Sequence, residues 1–173
     1  MIIWFTGISG VGKTTIAKKL HALLSKKLIL IDGDALRKIN NYDLGYTKED
    51  RDVNAKRLIN LVEYLSNQKI DIIVCANITS LKFRKVVRKK LRKFYEIHIS
   101  AKIDNLLKRD YKNLYKNALK KKINNVVGID IPYKKPKSCY MYLENNLSKK
   151  DFLKNAKIIK KKLFNSKKYK TLI

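Results

Sequence analysis

The segment from Gly7 to Thr14 constrains this chain more than any other part of its sequence. Four residues separate Gly7 from Gly12, and Lys13 and Thr14 follow at once, which fits a phosphate-binding loop. An apolar run, Ile2–Phe5, precedes the loop, and a helix-forming stretch follows it. A strand that ends in a glycine-rich turn and feeds a helix aims several backbone N–H groups and the positive end of the helix dipole at one anion. This context predicts a phosphate site and not an ordinary glycine-rich turn.

The residues of this loop have separate predicted roles in binding a nucleoside triphosphate with Mg²⁺. Gly10 and Gly12 let the backbone close around a phosphate. Lys13 reaches the outer phosphates as a catalytic cation, and the Thr14 hydroxyl supplies one magnesium ligand. The residues predicted to bind ATP here are Gly7, Ser9, Gly10, Val11, Gly12, Lys13, Thr14 and Thr15.

Short apolar runs alternate with helical patterns along the chain. Near-continuous Ile, Val and Leu in such runs indicates strands buried on both faces, and hence a parallel sheet covered by helices. Strands are predicted at Ile2–Phe5, Leu28–Ile31, Ile70–Ala76, Phe94–Ile99 and Cys139–Leu143. Helices are predicted at Lys13–Ser25, Lys48–Asn67, Leu81–Lys93, Ile103–Lys122 and Ser148–Phe164. We therefore predict an α/β fold of the P-loop NTPase type, with a central five-stranded parallel sheet flanked by helices.

The length and charge of the chain limit its organisation and its partners. A chain of 173 residues suits one domain, which we place at residues 1–165, with a frayed tail at 166–173. Lys and Arg number 41 against 14 acidic residues, a formal net charge of +27. The lysines are spread over nearly every predicted helix, so we interpret the charge as a solvated basic surface and an anionic substrate, and nucleic acid as an unlikely partner.

The sequence has no feature of a membrane or secreted protein. No apolar stretch approaches the roughly eighteen residues of a membrane span, and we expect no targeting segment before the first predicted strand. Cys75 and Cys139 are isolated and lack metal-ligand spacing. We expect a cytoplasmic protein that does not contact a membrane.

A second acidic motif, Asp32-Gly33-Asp34, follows the second predicted strand, and Arg37 comes soon after it. Because the carboxyl ends of parallel strands meet at one edge of the sheet, these acids should lie near the phosphate loop. We predict that Asp34 orients an acceptor hydroxyl or takes its proton, and that Asp32 lies nearer the magnesium water shell. Arg37 would then face an anionic acceptor. A solvent-exposed Asp-Gly-Asp turn is the alternative.

An ordered series of motifs between about Ile2 and Tyr133 resembles adenylylsulfate kinases. The series is far more specific than the phosphate loop alone. Besides that loop it comprises Trp4-Phe5-Thr6-Gly7, Asp32-Gly33-Asp34 with Arg37, Leu44-Gly45-Tyr46-Thr47 with Asp50-Arg51 and Asn54, Ile78-Thr79-Ser80, Arg109-Asp110 with Leu114-Tyr115-Lys116, and Gly128-Ile129-Asp130 with Pro132-Tyr133.

The resemblance implies a function as well as a fold. Enzymes of this family are usually homodimers and transfer the γ-phosphoryl group of MgATP to the ribose 3′-hydroxyl of adenylyl sulfate. By resemblance, Arg109 lies against the adenine of ATP, and a mobile lid covers the site at about residues 110–130. The residues that would bind the acceptor are Asp34, Arg37, Tyr46, Arg51, Asn54, Ile78, Thr79, Lys112 and Val126.

The departures from the family pattern lie on the acceptor side. The family holds the acceptor's adenine between two phenylalanines, and the corresponding positions here are Tyr46 and Val126. Each stacked base contributes roughly 1–3 kcal/mol, so a purine acceptor loses much of this energy. A branch of the family phosphorylates cytidine diphosphoramidate, a step toward phosphoramidate-decorated capsule, and its smaller pyrimidine suits this pair better. We favour that acceptor, with adenylyl sulfate as the alternative.

Two further function classes are open at this stage. One is a different small-molecule P-loop kinase that acts on a sugar acid or a similar hydroxyl, against which the Arg51 and Asn54 segment and the lid argue. The other is a nucleic-acid-binding module based on charge. The sequence lacks an aromatic-rich basic strand and a recognition-helix pattern, so that module is the most distant alternative.

Overall fold

The computed structural model describes residues 1–24, 28–110 and 113–164, and in these ranges five strands form one sheet. The strands pair in parallel in the order β2-β3-β1-β4-β5. They are β1 (Ile2–Thr6), β2 (Ile29–Asp32), β3 (Ile72–Cys75), β4 (Phe94–Ser100) and β5 (Met141–Glu144). The predicted five-stranded parallel sheet is therefore confirmed.

Helices connect successive strands and flank the sheet. They are α1 (Lys13–Leu23), α2 (Gly33–Ile39), α3 (Lys48–Asn67), α4 (Leu81–Lys90), α5 (Ile103–Lys108), α6 (Leu114–Leu119) and α7 (Lys149–Phe164). The predicted end of the first helix at Ser25 and the predicted tail at 166–173 lie outside the described residues. Within the described ranges, no helix is both long enough and apolar enough to cross a membrane.

One helical prediction was wrong, and one helix was missed. The predicted helix Ile103–Lys122 is two separate helices, α5 and α6, and Asn113 adopts a left-handed conformation (φ 51°) directly before the second. Helix α2 was not predicted. Its N-cap is Asp32, whose side chain accepts hydrogen bonds from the backbone N–H groups of Asp34 and Ala35, so the Asp-Gly-Asp motif starts a helix and is not a free turn.

The sheet separates two hydrophobic clusters, which explains why the inner strands β1 and β3 are buried along their whole length. All five residues of β1 are buried, and alternate side chains enter opposite clusters. Ile3 and Phe5 pack in a cluster with α1 and α7, whereas Ile2 and Trp4 pack in a cluster with α3 and α4. Covering both faces leaves the edge formed by the carboxyl ends of the strands as the natural place for a ligand.

The register of the strands brings the two predicted site motifs together. Cys75 in β3 is the pairing partner of both Phe5 in β1 and Asp32 in β2. The phosphate loop follows β1 directly, and α2 follows β2 directly. The two motifs therefore lie on either side of the end of β3.

Candidate active site

The phosphate loop links β1 to α1 and requires glycine at more than one position. Gly10 (φ 74°) and Gly12 (φ 97°) have left-handed backbones, which other residues adopt at a cost. A Cβ atom at Gly12 would also lie 2.7 Å from Asn145 Nδ2 and 3.0 Å from a ring carbon of Phe152. The backbone conformation and the limited space both require glycine at position 12. The loop leads directly into α1, whose first backbone N–H groups have no partner within the helix and can bind an anion.

Lys13 folds back onto the loop that precedes it. Its ammonium group donates hydrogen bonds to the carbonyl oxygens of Gly7 and Ile8, both at 2.8 Å. Burial lowers the pKa of Lys13 from 10.5 to about 8, although attraction to Asp34 and Asp32 opposes the change. Burial thus disfavours the charged form of Lys13 more than the nearby carboxylates favour it, and a bound phosphate would stabilise the ammonium group.

We predict that nucleotide binding takes up a proton at Lys13. Between its pKa of about 8 and its ordinary value of 10.5, free Lys13 has released its proton, and bound phosphates restore the charged form by raising the pKa again. Titration calorimetry of MgADP in buffers of different ionisation enthalpy should show uptake approaching about one proton near pH 9 and almost none at pH 7. Lys13→Met should remove the pH 9 uptake, and exposed Lys18→Met should keep it. Equal uptake in both variants would contradict the assignment.

Thr14 and Asp32 form the part of the site that suits a magnesium ion. The Thr14 hydroxyl donates to Asp32 Oδ2 at 2.5 Å, and the other carboxylate oxygen caps α2. A hydroxyl beside a carboxylate is the hard-oxygen pair that Mg²⁺ prefers. Among the described residues, no group of three or more His, Cys, Asp or Glu side chains could hold a metal alone. The site fits an ion that takes its other ligands from water and phosphate.

Asp34 lies on the exposed first turn of α2, close enough to Lys13 and Arg51 to affect the pKa of each. Burial lowers the pKa of both Lys13 and Arg51, and the negative charge of Asp34 opposes this change at each of them. One carboxylate therefore interacts with cations on both sides of the site. This is the place expected of a group that handles the acceptor hydroxyl.

Arg51 ties together two loops on the acceptor side. Its Nε donates to the carbonyl of Tyr46 at 2.9 Å, and its Nη2 donates to the carbonyl of Asn125 at 2.6 Å. Burial and the nearby Arg37 both lower the pKa of Arg51. The guanidinium carbon of Arg51 lies 5.3 Å from the ring centre of Tyr46, and that of Arg37 lies 4.7 Å from it. The structure thus gathers three predicted acceptor residues around one aromatic ring.

Arg37 also has a structural role that the sequence did not reveal. The side chain is buried, and its Nη1 donates to the carbonyls of Leu44 and Gly45 at 3.1 and 2.9 Å. These bonds fix the loop that carries Tyr46. Acceptor binding by Arg37 stays a prediction.

The other predicted acceptor residues that the structure describes are buried or half-buried. Ile78 and Val126 are each 4% exposed and pack in opposite hydrophobic clusters. Asn54 and Thr79 are half-buried. Lys112 lies outside the described residues. The roles of these side chains toward an acceptor stay predictions, and Tyr46 is the exposed aromatic residue among those that can be placed.

The segment predicted to act as a lid packs on the rest of the protein. In α6, Tyr115 and Ala118 are buried, and Val127 is buried further along. Asp130 accepts hydrogen bonds from the backbone N–H groups of Asn125 and Val126, which shapes the loop that Arg51 contacts. Mobility of this segment stays a prediction.

Arg109, the residue predicted to lie against adenine, is held at the end of α5. Its guanidinium donates to the carbonyls of Asn145 and Leu147 at 2.8 and 3.1 Å. Sequence reasoning missed Asn145, which lies in no motif. The site on the ATP side is therefore built partly by the loop after β5, and adenine contact by Arg109 stays a prediction.

Comparisons with known proteins agree with this geometry. The family model described as adenylylsulphate kinase matches residues 1–144. The chain is 36% identical over 165 residues to the cytidine diphosphoramidate kinase of Campylobacter jejuni subsp. jejuni serotype O:2, covering 94% of this chain and 95% of that protein. It is 37% identical over 140 residues to the adenylyl-sulfate kinase of Halothermothrix orenii, covering 79% and 75% of the two proteins. The structure of the Mycobacterium tuberculosis APS kinase CysC in complex with AMPPNP and APS matches with a TM-score of 0.82 at 29% identity, covering 95% and 97% of the two chains.

Proposed function

The chain belongs to the adenylylsulphate kinase family, and from this premise we propose that its acceptor is cytidine diphosphoramidate and not adenylyl sulfate. As a member it is an ATP-dependent phosphotransferase of the type that phosphorylates a nucleotide at the 3′ position. Relatives named for each acceptor are similarly identical to it, at 36% and 37%. The proposal therefore concerns the base and the anhydride group of the acceptor.

The proposal rests on the number of aromatic rings at the two base-stacking positions of the acceptor side, where one ring is present in place of the family's two. Tyr46 is 49% exposed and presents a ring, whereas Val126, at the position of the family's second aromatic residue, is aliphatic and 4% exposed. Without the second aromatic ring, adenine loses a stack of roughly 1–3 kcal/mol on which the family relies, and a smaller pyrimidine suits the single ring of Tyr46. The similarity to the cytidine diphosphoramidate kinase over nearly the full length of both chains supports the same choice.

In the proposed reaction the acceptor's 3′-oxygen attacks the γ-phosphorus of ATP. A bond forms between that oxygen and phosphorus, the bond to the β-phosphate oxygen breaks, and the hydroxyl proton passes to Asp34 and then to water. Lys13 and the loop N–H groups stabilise the charge on the phosphates. Thr14 and Asp32 would hold Mg²⁺, which supplies further charge neutralisation when bound.

Membership of the family supports two further proposals. We propose a homodimer, which light scattering of the purified chain would test against the 20.2 kDa mass of one chain. We also propose that the product serves the phosphoramidate decoration of a capsule. Neither feature is needed for the choice of acceptor.

A kinetic comparison tests the acceptor directly. With MgATP saturating, kcat/KM for cytidine diphosphoramidate should exceed that for adenylyl sulfate by about tenfold or more, because adenine lacks the second stack that the family supplies. Efficient phosphorylation of adenylyl sulfate with little activity on the cytidine compound would overturn the proposal. It would leave the family assignment intact.

Tyr46→Leu should weaken acceptor binding and spare ATP. Removing the ring deletes the proposed base stack, so the acceptor KM should rise about 5- to 100-fold while the KM for ATP changes little. Tyr64→Leu on α3 is the matched control, because Tyr64 is also exposed, at 63%, and belongs to no predicted site. Equal kinetics in the two variants would show that Tyr46 does not contact the base.

A further inference from the structure

Two buried side chains that are distant in sequence from the phosphate loop donate hydrogen bonds to its backbone carbonyls. The Tyr115 hydroxyl, in α6, donates to the carbonyl of Ser9 at 2.7 Å. The Asn145 side-chain amide, directly after β5, donates to the carbonyl of Val11 at 2.9 Å. Tyr115 is 2% exposed and Asn145 is 7% exposed. Because both donors are buried, water cannot readily replace either bond.

The hydrogen bonds to these two carbonyls also orient the N–H groups of the residues that follow them. The peptide unit is planar and trans, so its C=O and the N–H of the next residue point in opposite directions. A carbonyl fixed toward Tyr115 or Asn145 turns the following N–H, that of Gly10 or Gly12, the other way. Both glycines have left-handed backbones with φ of 74° and 97°, and glycine alone does little to restrict such peptide units to one orientation.

We infer that Tyr115 and Asn145 are positioning residues for the nucleotide, each fixing one carbonyl of the phosphate loop so that the next N–H group faces the phosphates. The inference rests on the proposed function, since it takes ATP as the ligand of the loop. Neither side chain reaches the reacting atoms. Their effect is to order the loop before the ligand binds, which lowers the entropy cost of binding.

Asn145 connects the loop to the predicted base-binding side of the site. Its backbone carbonyl accepts a hydrogen bond from Arg109 Nη1 at 2.8 Å, while its side chain donates to Val11. The amide also packs against the loop so closely that a Cβ atom at Gly12 would lie 2.7 Å from it. One residue thus fixes the spacing between the phosphate loop and Arg109.

Tyr115 connects the loop to the segment predicted to act as a lid. The start of α6 is anchored by Asp110, whose carboxylate accepts the N–H groups of Leu114 and Lys116 at 2.8 and 2.9 Å. Tyr115 therefore projects from a fixed helix end. Its ring also lies 3.8 Å from where a Cβ atom at Gly10 would be.

The test compares Tyr115→Phe with Tyr140→Phe in the full chain. Each change removes one hydroxyl that donates to a backbone carbonyl, and the Tyr140 partner, Lys162 O at 3.2 Å, is far from the loop. Titration calorimetry with MgADP should show a dissociation constant about 3- to 10-fold higher for Tyr115→Phe and unchanged for Tyr140→Phe. The KM for ATP should rise in the same proportion, with the acceptor KM unchanged. Thermal unfolding confirms that both variants are folded at the assay temperature.

A second pair covers the case in which Tyr115→Phe fails to fold. Asn145→Ala should raise the MgADP dissociation constant by a similar factor, whereas Asn155→Ala, which removes a bond to Phe152 O within α7, should not. Unchanged MgADP affinity in a folded Tyr115→Phe or Asn145→Ala variant would overturn the inference. An equal rise in the KM for ATP and the KM for the acceptor would overturn it as well. A wild-type chain that does not bind MgADP would instead overturn the proposed function, so the two failures are distinguishable.

Discussion

Asp34→Asn is expected to lower kcat by about 10²- to 10⁴-fold, the usual contribution of a positioned general base. The amide keeps the size of the side chain and its place on the first turn of α2, but it cannot take the proton of the acceptor hydroxyl. Asp34 lies on the exposed first turn of α2, and its influence on the pKa of Lys13 is smaller than that of burial, so MgADP affinity should stay close to the wild-type value. Steady-state kinetics together with MgADP calorimetry would measure both quantities.

Asp43→Asn provides the matched control for this variant. Asp43 is an exposed carboxylate that pairs with Arg57 at 2.6 Å, so its loss should change kcat very little. If Asp34→Asn were as active as Asp43→Asn, the proton-accepting role of Asp34 would be wrong. A parallel loss of MgADP affinity would point to a role in the fold of α2.

Arg51→Lys should lower kcat/KM for the acceptor by about 10- to 100-fold. The guanidinium of Arg51 donates through two different nitrogens to Tyr46 O and Asn125 O, at 2.9 and 2.6 Å. A lysine keeps the charge but cannot present a planar pair of donors to both loops or to an anionic acceptor. The KM for ATP should be unaffected, because these contacts lie on the acceptor side.

Arg57→Lys is the appropriate control, since it lies on the same helix and makes one exposed ion pair with Asp43. It should have near wild-type kinetics. An acceptor kcat/KM for Arg51→Lys that matched this control would show that the planar geometry of Arg51 is not used. Another residue on the acceptor side would then have to bind the anionic group of the acceptor.

Local patterns were sufficient to predict the sheet and most of the helices. Strand β1 is buried at every residue, so its apolar run was easy to read, and α3 was predicted with the bounds that the structure has. Helix α2 was missed because its acidic start also fits a surface turn. The break between α5 and α6 was missed because it depends on a left-handed backbone at Asn113, which an apolar periodicity does not report.

The site could be predicted only as far as its motifs reach. The phosphate loop, Asp32 and Asp34 follow strand ends, and parallel strands bring such residues together. The contacts of Tyr115 and Asn145 with the loop join residues that are 106 and 134 positions apart, and no local pattern encodes such distances. Burial of Arg37 was missed for a different reason. Leu44 and Gly45 are only 7 and 8 positions away, but their carbonyls become its partners only because the chain turns back after α2, a helix that was not predicted.

We propose that a triphosphate at the phosphate loop and a ribose hydroxyl beside Asp34 meet in one cleft. The most direct measurement is ³¹P NMR of the products after incubation with MgATP and each nucleotide acceptor. We predict ADP together with a new phosphomonoester on the ribose 3′-oxygen of the acceptor, formed by the wild-type chain and nearly absent with Asp34→Asn. Release of inorganic phosphate with both nucleotides unmodified, or phosphorylation of a sugar acid such as gluconate in their place, would contradict it.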